Sequence, residues 1–114
     1  MKPLTPRLHG FVDYTACGLM LAAPRLLRLS PQARRASYAL AGSYLGVSLL
    51  TDYPPALRRM IPFPVHGRIE LATFPALLLL ASETQGRNRI YFLALAGMVA
   101  GAYALTDWKA DPDA

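Results

Sequence analysis

Two histidines in this chain are each followed four residues later by a carboxylate: His9 by Asp13, and His66 by Glu70. On a helix, a spacing of i to i+4 stacks the two side chains on one face, a turn apart. Imidazole nitrogens and carboxylate oxygens are the ligands that zinc and related divalent metals bind in proteins. The two pairs therefore predict a site for a metal or another cation.

The two pairs belong to a unit that occurs twice. Residues 39–53 (ALAGSYLGVSLLTDY) return 55 residues later as residues 94–108 (ALAGMVAGAYALTDW), with eight of 15 positions identical, and the His-Gly pairs are offset by 57 residues. We interpret the chain as a tandem duplication within one domain. Repeat 1 covers about residues 5–53 and repeat 2 about residues 64–108, with a linker at 54–63 and a tail at 109–114.

Both repeats end on Thr-Asp-aromatic, which adds two carboxylates to the same end of the molecule. Each repeat reads as two helices, so the starts of helices 1 and 3 lie on the same side as the ends of helices 2 and 4. A histidine at a helix start and an aspartate at a helix end are each disfavoured by the helix dipole, but together they suit a cation. The predicted ligands of zinc, manganese or iron are His9, Asp13, Asp52, His66, Glu70 and Asp107.

Other roles are compatible with the same residues. The six side chains would also serve to lock helix ends together by hydrogen bonds, or to move protons or ions. Gly10 and Gly67, next to the histidines, leave room for a b-type haem with two histidine ligands. The chain has no Ser-His-Asp order, phosphate loop or nucleotide fingerprint, which favours a binding or structural protein over an enzyme.

The segments between the polar residues are apolar on all sides. Hydrophobic residues make up 54% of the chain and charged residues 17%, and four runs contain no charge at all: 14–24, 36–50, 71–81 and 90–105. Helices without a polar face are buried or lie in lipid. We therefore expect an all-α integral membrane protein with four transmembrane helices, arranged as two parallel two-helix repeats, at about residues 6–29, 31–51, 64–82 and 88–107.

The basic residues indicate what surrounds the helices. The net charge is +5, and the arginines and lysines sit in short clusters at the edges of the apolar runs, where side chains reach lipid headgroups. The expected partner is thus the lipid bilayer rather than nucleic acid. Six basic residues fall on each predicted side, so the charge gives no orientation.

Helices 2 and 4 each carry Gly-x-x-x-Gly, at Gly42 and Gly46 and at Gly97 and Gly101. Small residues on one face let helices approach closely in lipid. We expect these glycines to pack the helices against each other or across a homo-oligomer.

Residues 18–24, Gly-Leu-Met-Leu-Ala-Ala-Pro, resemble the Gly-x-x-x-x-x-Pro core of small SPW-repeat-like bacterial membrane proteins, which have four spans and no assigned function. Ala23-Pro24-Arg25 stands where that family has Ser-Pro-Trp, and repeat 2 lacks the motif. The resemblance implies a four-span helical fold in the bacterial inner (plasma) membrane. It implies no functional residue.

Overall fold

The computed structural model describes residues 2–113 and forms four α-helices within them. They are α1 (Pro6–Leu26), α2 (Pro31–Leu50), α3 (Phe63–Ser82) and α4 (Arg87–Leu105). The closest helix contacts are within the repeats, between α1 and α2 and between α3 and α4. The predicted all-helical, four-helix fold is confirmed.

The starts of α1 and α2 follow from capping residues. Thr5 Oγ1 accepts a hydrogen bond from Leu8 N at 3.3 Å, and Ser30 Oγ accepts one from Ala33 N at 3.1 Å. A proline follows each cap, where its missing N–H costs nothing. α1 ends at Leu26, three residues before the predicted end, because Pro24 interrupts its hydrogen bonding and Arg28 then takes a positive φ of 53°.

Two short backbone pairings tie the start of each repeat to the end of the other. Leu4 pairs with Thr106, and Ile61 pairs with Thr51. Leu4 and Ile61 each lie five residues before a histidine. The pairings pull both threonines into extended conformations, which ends α2 and α4 earlier than predicted. They also set each histidine beside the threonine of the other repeat.

The end of the bundle opposite the histidines has its own link between repeats. Ser37 Oγ on α2 donates to Met20 O at 2.7 Å and accepts from the Tyr91 hydroxyl on α4 at 2.5 Å. Around this link lies a core of small and large apolar side chains that includes Ala33, Leu77 and Phe92. The repeats are therefore joined at both ends.

Within residues 2–113, the Gly-x-x-x-Gly faces make no close helix contact. A Cβ built on any of the four glycines would meet no neighbouring atom within 4 Å: Gly42, Gly46, Gly97, Gly101. The predicted contact of α2 with α4 through these faces is not formed, because the closest approaches are within the repeats instead. Packing across a homo-oligomer stays a prediction.

Close backbone approach occurs instead at the glycines beside the histidines. A Cβ on Gly10 would overlap Pro55 Cγ, and one on Gly67 would lie 2.9 Å from the Trp108 ring. The space that the sequence left for a haem is thus filled by the protein's own side chains.

The helices differ in how well their length and mean hydropathy suit a membrane span. Within residues 2–113, α4 alone is both long enough and apolar enough for a span by length and composition. The other three are long enough, but charged residues within them, such as Asp13, Arg34 and Glu70, lower their mean hydropathy. The expectation of four spans is therefore supported by composition for α4 only.

Candidate metal centre

Four of the six predicted ligands come together in one buried group. α1 supplies His9 and Asp13, and α3 supplies His66 and Glu70. One ligand atom from each lies within 4.8 Å of all the others. No side chain of the four is more than 5% exposed, so the group is closed to bulk water.

Each histidine presents its Nε2 atom to both carboxylates. His9 Nε2 lies 3.3 Å from Asp13 Oδ1 and 3.0 Å from Glu70 Oε1. His66 Nε2 lies 3.2 Å from Asp13 Oδ2 and 3.4 Å from Glu70 Oε1. Every carboxylate thus faces one histidine on its own helix and one on the other repeat.

Two threonines decide which nitrogen of each ring carries a proton. Thr51 Oγ1 donates to the Val47 carbonyl at 2.6 Å, so its lone pair must accept the Nδ1–H of His66 at 2.7 Å. Thr106 repeats the arrangement with the Ala102 carbonyl and His9 Nδ1. In a neutral imidazole the proton then lies on Nδ1, and Nε2 carries the lone pair.

With both imidazoles neutral, the group would have excess negative charge and excess lone pairs. Two neutral imidazoles and two carboxylates sum to a charge of −2, and no proton would then lie between the Nε2 lone pairs and the carboxylate oxygens. Within residues 2–113, His66 Nε2 and Glu70 Oε2 have no hydrogen-bond partner, whereas His9 Nε2 lies at hydrogen-bond distance, 3.0 Å, from Glu70 Oε1. Buried groups of this kind are costly unless a cation balances them. Either a divalent metal or two further protons supplies that charge.

Three aromatic side chains surround the centre. Tyr53 is fully buried, and its hydroxyl donates to Asp13 Oδ2 at 3.0 Å. Trp108 lies 4.8 Å from His9 between ring centroids, and Phe63 lies 5.8 Å from the same ring. Burial and the Asp13 carboxylate raise the pKa of Tyr53, which keeps it protonated as a donor. These rings exclude water and fix the orientation of Asp13.

The role of these aromatic residues at the centre was not predicted from the sequence, although the repeated chain ending was a signal for it. Both repeats close on Thr-Asp-aromatic, and the aromatic positions are Tyr53 and Trp108. The extended threonine at each helix end turns the following aspartate outward and the aromatic residue inward.

The two aspartates at the helix ends consequently lie outside the group. Asp52 is partly exposed and pairs with Arg59 at 3.5 Å. Asp107 Oδ1 accepts a hydrogen bond from the Lys109 backbone N–H at 3.1 Å. Neither contributes to the buried group at His9 and His66.

Comparison with known protein families, with curated proteins and with solved structures found no match to this chain. The resemblance to SPW-repeat proteins stays a prediction.

Proposed function

We propose that this protein binds one divalent transition metal ion through His9, Asp13, His66 and Glu70. The observation that carries the proposal is the set of four Nε2 to oxygen distances, which run from 3.0 to 3.4 Å. Ligands about 2.0 Å from a metal at the corners of a tetrahedron lie about 3.3 Å from one another. These four distances match edges of such a tetrahedron, with a different Asp13 oxygen facing each histidine. One ligand atom from each of the four residues lies within 4.8 Å of the others, so a small contraction would bring all four onto one ion.

The donor set favours particular ions. Two imidazole nitrogens and two carboxylate oxygens suit zinc, manganese or iron, whereas calcium and magnesium prefer oxygen alone. A divalent ion brings the charge of the group from −2 to zero. Thr51 and Thr106 add the hydrogen bond from the outer ring nitrogen that ligating histidines usually make.

The alternative role, a lock between helix ends without a metal, has a specific requirement. Because Nδ1–H is already donated to a threonine, each ring can donate to a carboxylate only when Nε2 is protonated as well. A lock therefore needs two imidazolium ions. His9 Nε2 lies at hydrogen-bond distance from Glu70 Oε1, whereas His66 Nε2 makes no hydrogen bond within residues 2–113. The lock is therefore incomplete at one of its two rings, which favours the metal.

We further propose that the metal site lies in a membrane protein. Many large apolar side chains are exposed on the helices and loops, among them Phe11 at 55%, Leu26 at 81% and Ile90 at 68%. Monomeric soluble proteins rarely expose so much apolar surface in contiguous patches. Arginines at the helix ends, such as Arg25 and Arg87, suit contact with lipid headgroups.

One experiment tests both statements. Membranes from cells that produce the protein are washed with alkaline carbonate, the protein is extracted in detergent without chelator, and its metal content is measured at pH 7.5 and at pH 5. We expect the protein to stay in the membrane pellet and to carry one metal ion per chain at pH 7.5. Less metal should remain below about pH 6, because histidine must be neutral to bind it.

Recovery of the protein in the carbonate wash would contradict the membrane location. Metal-free protein that gains no thermal stability from added zinc, manganese or iron would contradict the metal site and leave the lock as the role of the four residues.

A further inference from the structure

A cavity opens from one side of the metal centre. It lies between α2 and α3, has a volume of about 60 Å³, and is lined by residues that include Tyr44, Val47, His66 and Glu70. A single water needs about 10–15 Å³ by the same kind of measure. The cavity has room for a few waters or one small molecule beside two of the proposed metal ligands.

Unsatisfied polar atoms cluster at this cavity. The Tyr44 hydroxyl, His66 Nε2 and Glu70 Oε2 are all buried, and none has a hydrogen-bond partner among the described residues. All three residues line the cavity. Buried polar groups are rarely left unpaired, and each such atom calls for a partner that the chain does not supply. The proposed metal satisfies His66 Nε2. The Tyr44 hydroxyl and Glu70 Oε2 remain, a donor and an acceptor, and they point to an occupant with both donor and acceptor capacity.

The two repeats differ at these positions. By the repeat offsets, Tyr44 corresponds to Val99 and Ser43 to Met98, while Thr73 corresponds to Ala16. The corresponding positions between α1 and α4 therefore carry apolar side chains, where the cavity between α2 and α3 has polar ones. The groove found there, which is lined by Val12 and Met98 among others, does not reach His9 or Asp13. The α2 and α3 side thus combines a polar lining with access to the centre, and the groove between α1 and α4 does not.

The carboxylates show the same asymmetry. Asp13 accepts a hydrogen bond from the Tyr53 hydroxyl. The residue that corresponds to Tyr53 is Trp108, whose indole N–H is donated to the Tyr103 carbonyl at 3.0 Å. Glu70 Oε2 therefore lacks the donor that its counterpart has, and it stays available to an occupant of the cavity.

We propose that the cavity is the site of an exogenous ligand of the metal, a water or hydroxide that binds the ion, accepts a hydrogen bond from the Tyr44 hydroxyl, donates one to Glu70 Oε2 and can be displaced by a small anion. This inference rests on the proposed metal site. It gives the ion a fifth, exchangeable position beside the four protein ligands, which makes the centre an open one rather than a closed structural one. α2 and α3 supply the open side, and α1 and α4 the closed side.

Azide binding to the cobalt-loaded protein tests this inference. Cobalt(II) reports its coordination in the visible spectrum, and azide is a small anion that fits the cavity. We expect azide to change the spectrum of the parent protein in a saturable way. Tyr44→Phe should weaken azide binding about tenfold or more, because it removes a hydrogen bond to a charged ligand while keeping the ring. Ser43→Met, which introduces the residue of repeat 2, should also weaken it.

The matched control is Ala39→Met, which adds the same side chain to α2 outside the cavity lining and should leave the azide response unchanged. Cobalt stoichiometry and thermal unfolding are measured for every variant. Two results would overturn the open position alone. One is bound cobalt whose spectrum does not change with azide, and the other is an equal azide response in the parent, Tyr44→Phe and Ser43→Met. A parent protein that binds no cobalt would overturn this inference together with the proposed function.

Discussion

Replacement of His66 by glutamine is expected to lower the zinc affinity of the purified protein by more than 100-fold. The change removes one of two nitrogen ligands, and an amide is a poor substitute for imidazole. Loss of an outer partner alone typically costs about 10–100-fold, which is the range we expect for Thr51→Val. Competition with a chromophoric chelator measures the zinc affinities of the parent, His66→Gln and Thr51→Val proteins.

Asp52→Asn is the matched control for this series. The residue stands next to Thr51 in the chain but pairs with Arg59 outside the buried group, so zinc affinity should not change. An unchanged affinity in His66→Gln, or an equal loss in Asp52→Asn, would show that the four buried residues are not the ligands.

Substitution of Gly10 by alanine should destabilise the protein, and substitution of Gly46 should not. A Cβ on Gly10 overlaps the rigid ring of Pro55, and overpacking of this kind costs about 1–3 kcal/mol. A Cβ on Gly46 meets open space, and alanine favours a helix over glycine by about 0.5–1 kcal/mol. Denaturant unfolding in detergent, followed by circular dichroism, gives both free energies of unfolding.

The Gly46 variant serves as the control for the intrinsic effect of alanine in a helix. A Gly10→Ala protein as stable as the parent would contradict the close approach of the 53–55 segment to α1. A loss of stability in Gly46→Ala would indicate instead that the exposed glycine face packs in an assembly.

The sequence predicted those features that local patterns and the duplication determine. The predicted helix starts at residues 6 and 31 agree with the observed Pro6 and Pro31, and the spacing of His9 to Asp13 and of His66 to Glu70 identified the pairs that meet. The contact between the two pairs was predictable from the repeat, because an internal duplication places equivalent helix faces about one axis.

Features that depend on contacts between the repeats were not predictable in this way. The pairing of Leu4 with Thr106 ends α4 early. If the helix continued to residue 107 as predicted, Asp107 would face inward and Trp108 outward. Gly-x-x-x-Gly suggested close packing, yet the close approaches occur at Gly10 and Gly67, whose neighbours are distant in sequence. In both cases the deciding atoms belong to the other end of the chain or to a loop.

X-ray absorption at the K-edge of the bound metal shows directly whether histidine and carboxylate side chains hold it. We expect a first shell of two imidazole nitrogens and two or three oxygens at about 2.0–2.2 Å, with the outer-shell scattering that histidine rings produce. The imidazole contribution should fall by half in His66→Gln protein that is loaded with excess metal. A shell of oxygen atoms without imidazole scattering, or one that contains the sulfur of Cys17, would contradict the proposed metal centre.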